Sequence, residues 1–160
     1  MSKTPAPNAK YRPLALITGG AGGIGRALAD QFARHGHDLI IVDRLEGQLD
    51  ALCTELTKRH PDLLCAPLAM DLAQPSAAEA LFSKCEQDGR VIDVLINNVG
   101  FGKMGEHVEQ SPETMRDMLS LNNVLMTNLC LLFGRKMKQR RSGAILNVAS
   151  LVGFSSSPYF

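Results

Sequence analysis

Short apolar runs alternate along this chain with longer stretches whose apolar residues recur every three to four positions. Leu14-Ala-Leu-Ile17 reads as a strand, and a helix follows from about Gly23 to His35 with Ile24, Ala27, Leu28 and Phe32 at helical spacing. Asp38 to Val42 reads as a second strand, and Leu45 to about His60 as a second helix, stopped by Pro61. Leu63 to Met70 is a third strand, interrupted at Pro67. Ser76, with Glu79 in the capping-box position, is expected to cap a third helix running to about Asp88. Val91 to Ile96 is almost wholly apolar, as a strand buried on both faces should be. Ser111-Pro112 then opens a long helix, broken near Leu121-Asn122-Asn123 and ending in the basic run Lys136 to Arg141. Ala144 to Val148 is a fifth strand. Strands alternating with helices imply right-handed βαβ units and an α/β fold with a doubly wound parallel sheet.

Composition narrows the class. The 160 residues are 45% hydrophobic and 21% charged, with a formal net charge of +1. One domain over residues 13–160 is the expectation, behind a polar, disordered lead-in over residues 1–12. Near-neutral charge gives no reason to invoke nucleic acid, and no apolar run has membrane-spanning length. With no secretory h-region, a cytoplasmic location is expected. Cys53, Cys65, Cys85 and Cys130 are scattered without metal-ligand spacing and read as free thiols, most of them buried, and no metal site is indicated.

The candidate chemistry begins at Thr18-Gly19-Gly20-Ala21-Gly22-Gly23-Ile24-Gly25, between the first strand and the first helix. Glycines there let the backbone turn tightly and approach a pyrophosphate, which meets the free N–H groups of the helix N-terminus. Asp43 ends the second strand 18 residues beyond Gly25. A carboxylate at that place can accept both adenosine-ribose hydroxyls and repel a 2′-phosphate, although a turn-forming or capping aspartate would also fit. Arg44 could serve a 2′-phosphate, but no basic residue stands among Gly20, Ala21 and Gly22, so NAD is favoured over NADP. A P-loop is excluded because Arg26 and Ala27 replace its Lys and Ser/Thr.

With Asp71-Leu72 after the third strand, Asn97-Asn98-Val99-Gly100 after the fourth, Asn122 in the long helix and Asn147-Val148-Ala149-Ser150 ending the fifth, the sequence resembles the short-chain dehydrogenase/reductase family. The resemblance spans about Leu14 to Phe160 and is most similar to the branch acting on steroids, ketoacyl chains and other lipophilic carbonyls. It implies a Rossmann-type domain cut short after its fifth strand. It further implies a cofactor site at Gly19, Gly23, Ile24, Gly25, Asp43, Arg44, Asp71, Leu72, Asn98, Val99 and Gly100. In relatives the residue matching Asn122 holds a water of the proton relay, and the one matching Ser150 binds the substrate oxygen; Ser150 would also serve as a simple turn residue. The implied reaction is hydride transfer between a nicotinamide and a secondary alcohol or ketone. The family's Tyr-x-x-x-Lys pair does not occur in these 160 residues. A tyrosine hydroxyl near pKa ~10 is a poor base at neutral pH without such a cation. The chain by itself is therefore expected to lack turnover, which leaves a non-catalytic dinucleotide-binding or interaction protein as the alternative. An exposed apolar patch beside the fifth strand is also expected, favouring instability or self-association into a homo-oligomer.

Overall fold

Five parallel strands lie side by side in the order β3-β2-β1-β4-β5 in the computed structural model, which describes residues 11–156 and 158–159. They are β1 (Leu14–Thr18), β2 (Asp38–Asp43), β3 (Cys65–Ala69), β4 (Val94–Asn97) and β5 (Ala144–Asn147). Alternation along each strand divides the core in two. Leu16, Ile40 and Leu95 face one layer, where Ala78 and Leu81 of α3 (Ala77–Gln87) meet Leu129 and Phe133 of α5 (Met126–Arg140). Ile17, Ile41 and Ile96 face the other, built from Ala29 and Ala33 of α1 (Gly23–Arg34) and Leu49, Leu52 and Leu56 of α2 (Glu46–Arg59). Because side chains in a strand point alternately to opposite faces, one apolar run serves both layers. The doubly wound sheet is therefore the observed fold.

The chain reverses its direction of strand addition between β1 and β4, which are neighbours in the sheet. At such a point the loops leaving the carboxyl ends of the two strands part in opposite directions and open a crevice.

Several local expectations are corrected. Pro67 does not interrupt β3 but pairs opposite Ile41; β3 is an edge strand, where a residue lacking an N–H is tolerated. Ser76 precedes α3 with φ of 60° and its side chain makes no cap; the Ala77 N–H donates instead to the Gln74 carbonyl at 3.1 Å. Cys53 and Cys65 are not free thiols but a disulfide pair with Cα atoms 5.4 Å apart, joining α2 to β3. The fourth strand starts later than expected, Val91 being exposed. Residues 1–10 of the expected tail lie outside the described residues. Tyr11 and Arg12 are tied down: the Tyr11 hydroxyl donates to Asp93 at 2.7 Å, and Arg12 pairs with Asp38 at 2.9 Å.

Other expectations hold. The Ser111 hydroxyl accepts from the Thr114 N–H at 3.1 Å, capping α4 (Pro112–Leu119). The break in the long helix is a π-helical segment, Ser120–Leu125, between α4 and α5. All four residues of β5 are exposed, Ile145 and Leu146 included. Among the described residues no helix is long and apolar enough to cross a membrane.

Candidate functional site

Thr18, the last residue of β1, is fully buried and organises the crevice. Its hydroxyl donates to the Ile96 carbonyl at 3.3 Å and accepts from the N–H groups of Asn98 at 3.0 Å and Val99 at 3.3 Å. The Asn98 side-chain amide returns two bonds, donating to the carbonyls of Thr18 at 3.1 Å and Gly19 at 2.9 Å. The ends of β1 and β4 are thereby stitched together, and the glycine loop sits on the stitch. Gly19 adopts φ of +66°, and a Cβ there would lie 2.8 Å from the Val99 Cα. At Gly25 a Cβ would lie 2.2 Å from the Gly19 carbonyl oxygen. Only glycine lets loop and helix approach this closely.

The loop leads straight into α1, whose N-terminus receives no side-chain cap. Its first N–H groups and the positive end of the helix dipole face the crevice, an arrangement suited to an anion. Asp43 anchors the loop from the side. One carboxylate oxygen accepts from the Ala21 N–H at 3.1 Å and the other from the Leu45 N–H at 3.3 Å. The turn-forming reading of Asp43 is thus part of what it does. Asp71, after β3, accepts from the Gln74 amide at 2.7 Å and the Ala73 N–H at 3.0 Å. Those two donors, with the charge of Arg44 nearby, hold its carboxyl below the ordinary aspartate value of 3.8.

The resulting cleft encloses about 630 Å³. Gly19 lines it from the loop, Gly23, Ile24 and Gly25 from the start of α1, Asp43, Arg44, Asp71 and Leu72 from the β2 and β3 side, and Asn98, Val99 and Gly100 from the chain leaving β4. A family model described as short chain dehydrogenase matches residues 13–160. The chain belongs to that family.

The very-long-chain 3-oxoacyl-CoA reductase of Phaeosphaeria nodorum is 33% identical to this short chain dehydrogenase sequence over 147 residues, covering 90% of the chain and 43% of the relative. A short-chain dehydrogenase from Sphingobium yanoikuyae, solved in complex with NADPH, superposes with a TM-score of 0.83 at 37% identity, over 89% of this chain and 56% of that one. The bulky-bulky ketone specific alcohol dehydrogenase from Comamonas testosteroni gives a TM-score of 0.83 at 33% identity, over 89% and 57%. The chain thus spans about half the length of the relatives it matches.

Two sequence-derived residues of this short chain dehydrogenase lie apart from the cleft lining. Asn122, in the π segment, binds the Phe101 backbone at 3.0 and 2.8 Å. Ser150 accepts from the Val152 N–H at 3.2 Å and starts the short turn Leu151–Phe154, as a turn residue would. Conversely, Gln48, Met70, Phe101, Asp117 and Leu121 line the cleft without having been singled out from sequence. Gln48 is one turn into α2 and could have been found from the helix start. Asp117 and Leu121 reach the cleft only through the way the π segment is held against the chain that follows β4, at Phe101, which no local pattern encodes.

Proposed function

We propose that residues 13–160 form the dinucleotide-binding portion of an NAD(P)-dependent oxidoreductase acting on a secondary alcohol or ketone of lipophilic character. The observation that carries this reading is the cleft at the β1/β4 switch point, floored by Gly19 and Gly25, which admit no Cβ, and flanked by Asp43 and Asp71. These residues fit a dinucleotide. Gly23 has no heavy atom within 4 Å of where a Cβ would stand, leaving open space above the helix N-terminus for a pyrophosphate. The Asp43 carboxylate would accept from adenosine-ribose hydroxyls, Asp71 would accept from the adenine amino group, and Val99 and Gly100 would form the wall beyond. A bound nicotinamide supplies the hydride acceptor or donor. The chain's own part is to fix its position, keep the β4 wall in place through Asn98 and Asn122, and offer the Ser150 hydroxyl to the substrate oxygen.

Structures similar to this one hold NADPH or NADP. In this chain the Asp43 carboxylate disfavours a 2′-phosphate by like-charge repulsion, so our assignment is NAD, with Arg44 as the residue that would admit NADP. The lipophilic substrate rests on relatives named for 3-oxoacyl-CoA reduction and bulky ketones. A cytoplasmic location and self-association through the exposed β5 strand complete the reading.

Thermal unfolding of the 160-residue chain with NADH or NADPH at matched concentrations tests the site. A ligand confined to the folded state adds about 2.7 kcal/mol at a hundredfold excess over Kd. A clear rise with NADH and a smaller one with NADPH is expected, and no rise with either would overturn the assignment.

A further inference from the structure

The disulfide between Cys53 and Cys65 lies at the other end of the sheet from the cleft, yet it joins the two elements that carry one of the cleft's walls. Helix α2 brings Gln48 to the cleft from its first turn, and the chain leaving β3 brings Met70, Asp71 and Leu72. β3 is an edge strand, held by β2 on one side only, so its firmness depends on the helix packed over it. Cys53 is buried on the inner face of α2 at 6% exposure, whereas Cys65 opens the strand and is half-buried. Cys65 is thus the more exposed residue of the pair and the one a small thiol meets first.

We propose that Cys53 and Cys65 form a reversible thiol–disulfide staple that sets how firmly the α2–β3 wall of the cleft is held. Reduction proceeds by two exchanges with a low-molecular-weight thiol such as glutathione. A glutathione thiolate attacks the Cys65 sulfur, the protein S–S bond breaks, and Cys53 leaves as a thiolate that takes up a proton. A second glutathione thiolate attacks the glutathione sulfur of this mixed disulfide, releasing glutathione disulfide and the Cys65 thiolate, which is protonated in turn. Two electrons pass from two glutathiones to the cysteine pair, and oxidation by glutathione disulfide runs the same steps in reverse. In the oxidised form the crosslink shortens the excursions open to α2 and β3 when they separate, so local opening becomes rarer. Cys85 does not compete. It is buried under α3, and burial pushes its thiol up to about 11, leaving almost no thiolate at neutral pH.

The test needs no dinucleotide, so its outcome is independent of the proposed cofactor site. The 160-residue chain is equilibrated in glutathione buffers of graded ratio, quenched with acid, unfolded, alkylated and weighed. Cys53 and Cys65 are expected to pass together from protected to alkylated as reduced glutathione increases. Alkylation of both at every ratio, or protection that survives excess dithiothreitol, would overturn the proposal. Hydrogen exchange is then compared between the two trapped forms of the unmutated chain, which keeps the experiment decisive even where Cys53→Ser or Cys65→Ser fails to fold. Amides of residues 46–59 and 65–73 should exchange at least about tenfold more slowly in the oxidised form, and the unfolding midpoint should rise by roughly 5–10 °C. Equal exchange in the two forms would overturn the coupling to the wall.

Discussion

Asn122 grips both polar groups of one residue across the chain: its Oδ1 accepts from the Phe101 N–H at 3.0 Å, and its Nδ2 donates to the Phe101 carbonyl at 2.8 Å. The grip fixes the segment Asn98–Phe101, whose other end is held by the bonds from Thr18 and Asn98. A Cβ added to Gly100 would lie 2.9 Å from the Asn122 Oδ1, so this side chain stands directly against the wall that faces the cleft. The π segment makes the contact possible. One wider turn between α4 and α5 places Asn122 at a register that an uninterrupted α-helix would not give.

Replacing Asn122 by alanine should remove both bonds and lower stability by about 1–2 kcal/mol, since each partly exposed bond is worth about 1 kcal/mol. Asn122→Asp should cost more than the alanine near neutral pH, because one carboxylate oxygen then faces the Phe101 carbonyl with no proton between them. Urea unfolding of the two variants decides it. An alanine variant as stable as the parent would mean that the grip holds nothing.

Gly23 and Gly25 make a paired test of the loop. A Cβ at Gly25 would come within 2.2 Å of the Gly19 carbonyl oxygen and 2.7 Å of the Gly20 Cα, both backbone atoms that cannot step aside. Gly25→Ala should therefore distort the loop and destabilise the fold by about 1–3 kcal/mol. Gly23→Ala meets no heavy atom within 4 Å and begins a helix, so the folded chain should keep its stability. Its methyl group would, however, occupy open space at the cleft lining, and dinucleotide affinity should fall. Circular dichroism melts with NADH titration separate the two effects; equal stability losses in both variants would contradict the geometry.

Why the sequence exposed some of this site and hid the rest is physical. Gly19, Asp43 and Asn98 act at strand ends, where a run of β-branched and aliphatic residues stops, and Gly25 in the first turn of the helix that follows, so local pattern places them. The π segment was legible as an interruption at Leu121-Asn122-Asn123, because two adjacent asparagines weaken a helix interior. The Cys53–Cys65 bond was not legible: the two lie 12 residues apart across Pro61, and only the packing of α2 on β3 brings them together. Ser76 matched a capping pattern, but the turn at Gln74 to Ala77 satisfies the first N–H through backbone and leaves the hydroxyl without that task. Ser150 and the exposed face of β5 carry a family pattern whose chemistry depends on residues beyond these contacts.

Asp43 holds the Ala21 N–H and lines the cleft, where the proposed function has it accept from the adenosine ribose. Asp43→Ser keeps a short polar side chain and removes the charge. The ratio of NADPH to NADH affinity should rise by at least about tenfold, equivalent to about 1.4 kcal/mol, with Arg44 free to meet the added phosphate. Calorimetric titration with each dinucleotide measures it. A ratio unchanged from the parent would show that the carboxylate serves only the loop.

Asp71 gives a prediction in pH. Its folded-state pKa lies below 3.8, first because of the Gln74 amide, then the Ala73 N–H, and less through the charge of Arg44. The folded chain thus holds the ionised form more readily than the unfolded chain does. Its contribution to stability is complete above the unfolded value and disappears as pH falls through the lower folded value. Asp71→Asn cannot ionise and gives up that contribution at every pH. The stability gap between parent and variant should therefore be widest near pH ~6 and should narrow towards pH ~3. The side chain is exposed, so the part owed to Arg44 should weaken as salt is added while the two hydrogen bonds persist. Urea unfolding of both proteins at the two pH values is sufficient. A gap that does not narrow on acidification would place the origin of the effect elsewhere than in the ionised carboxylate.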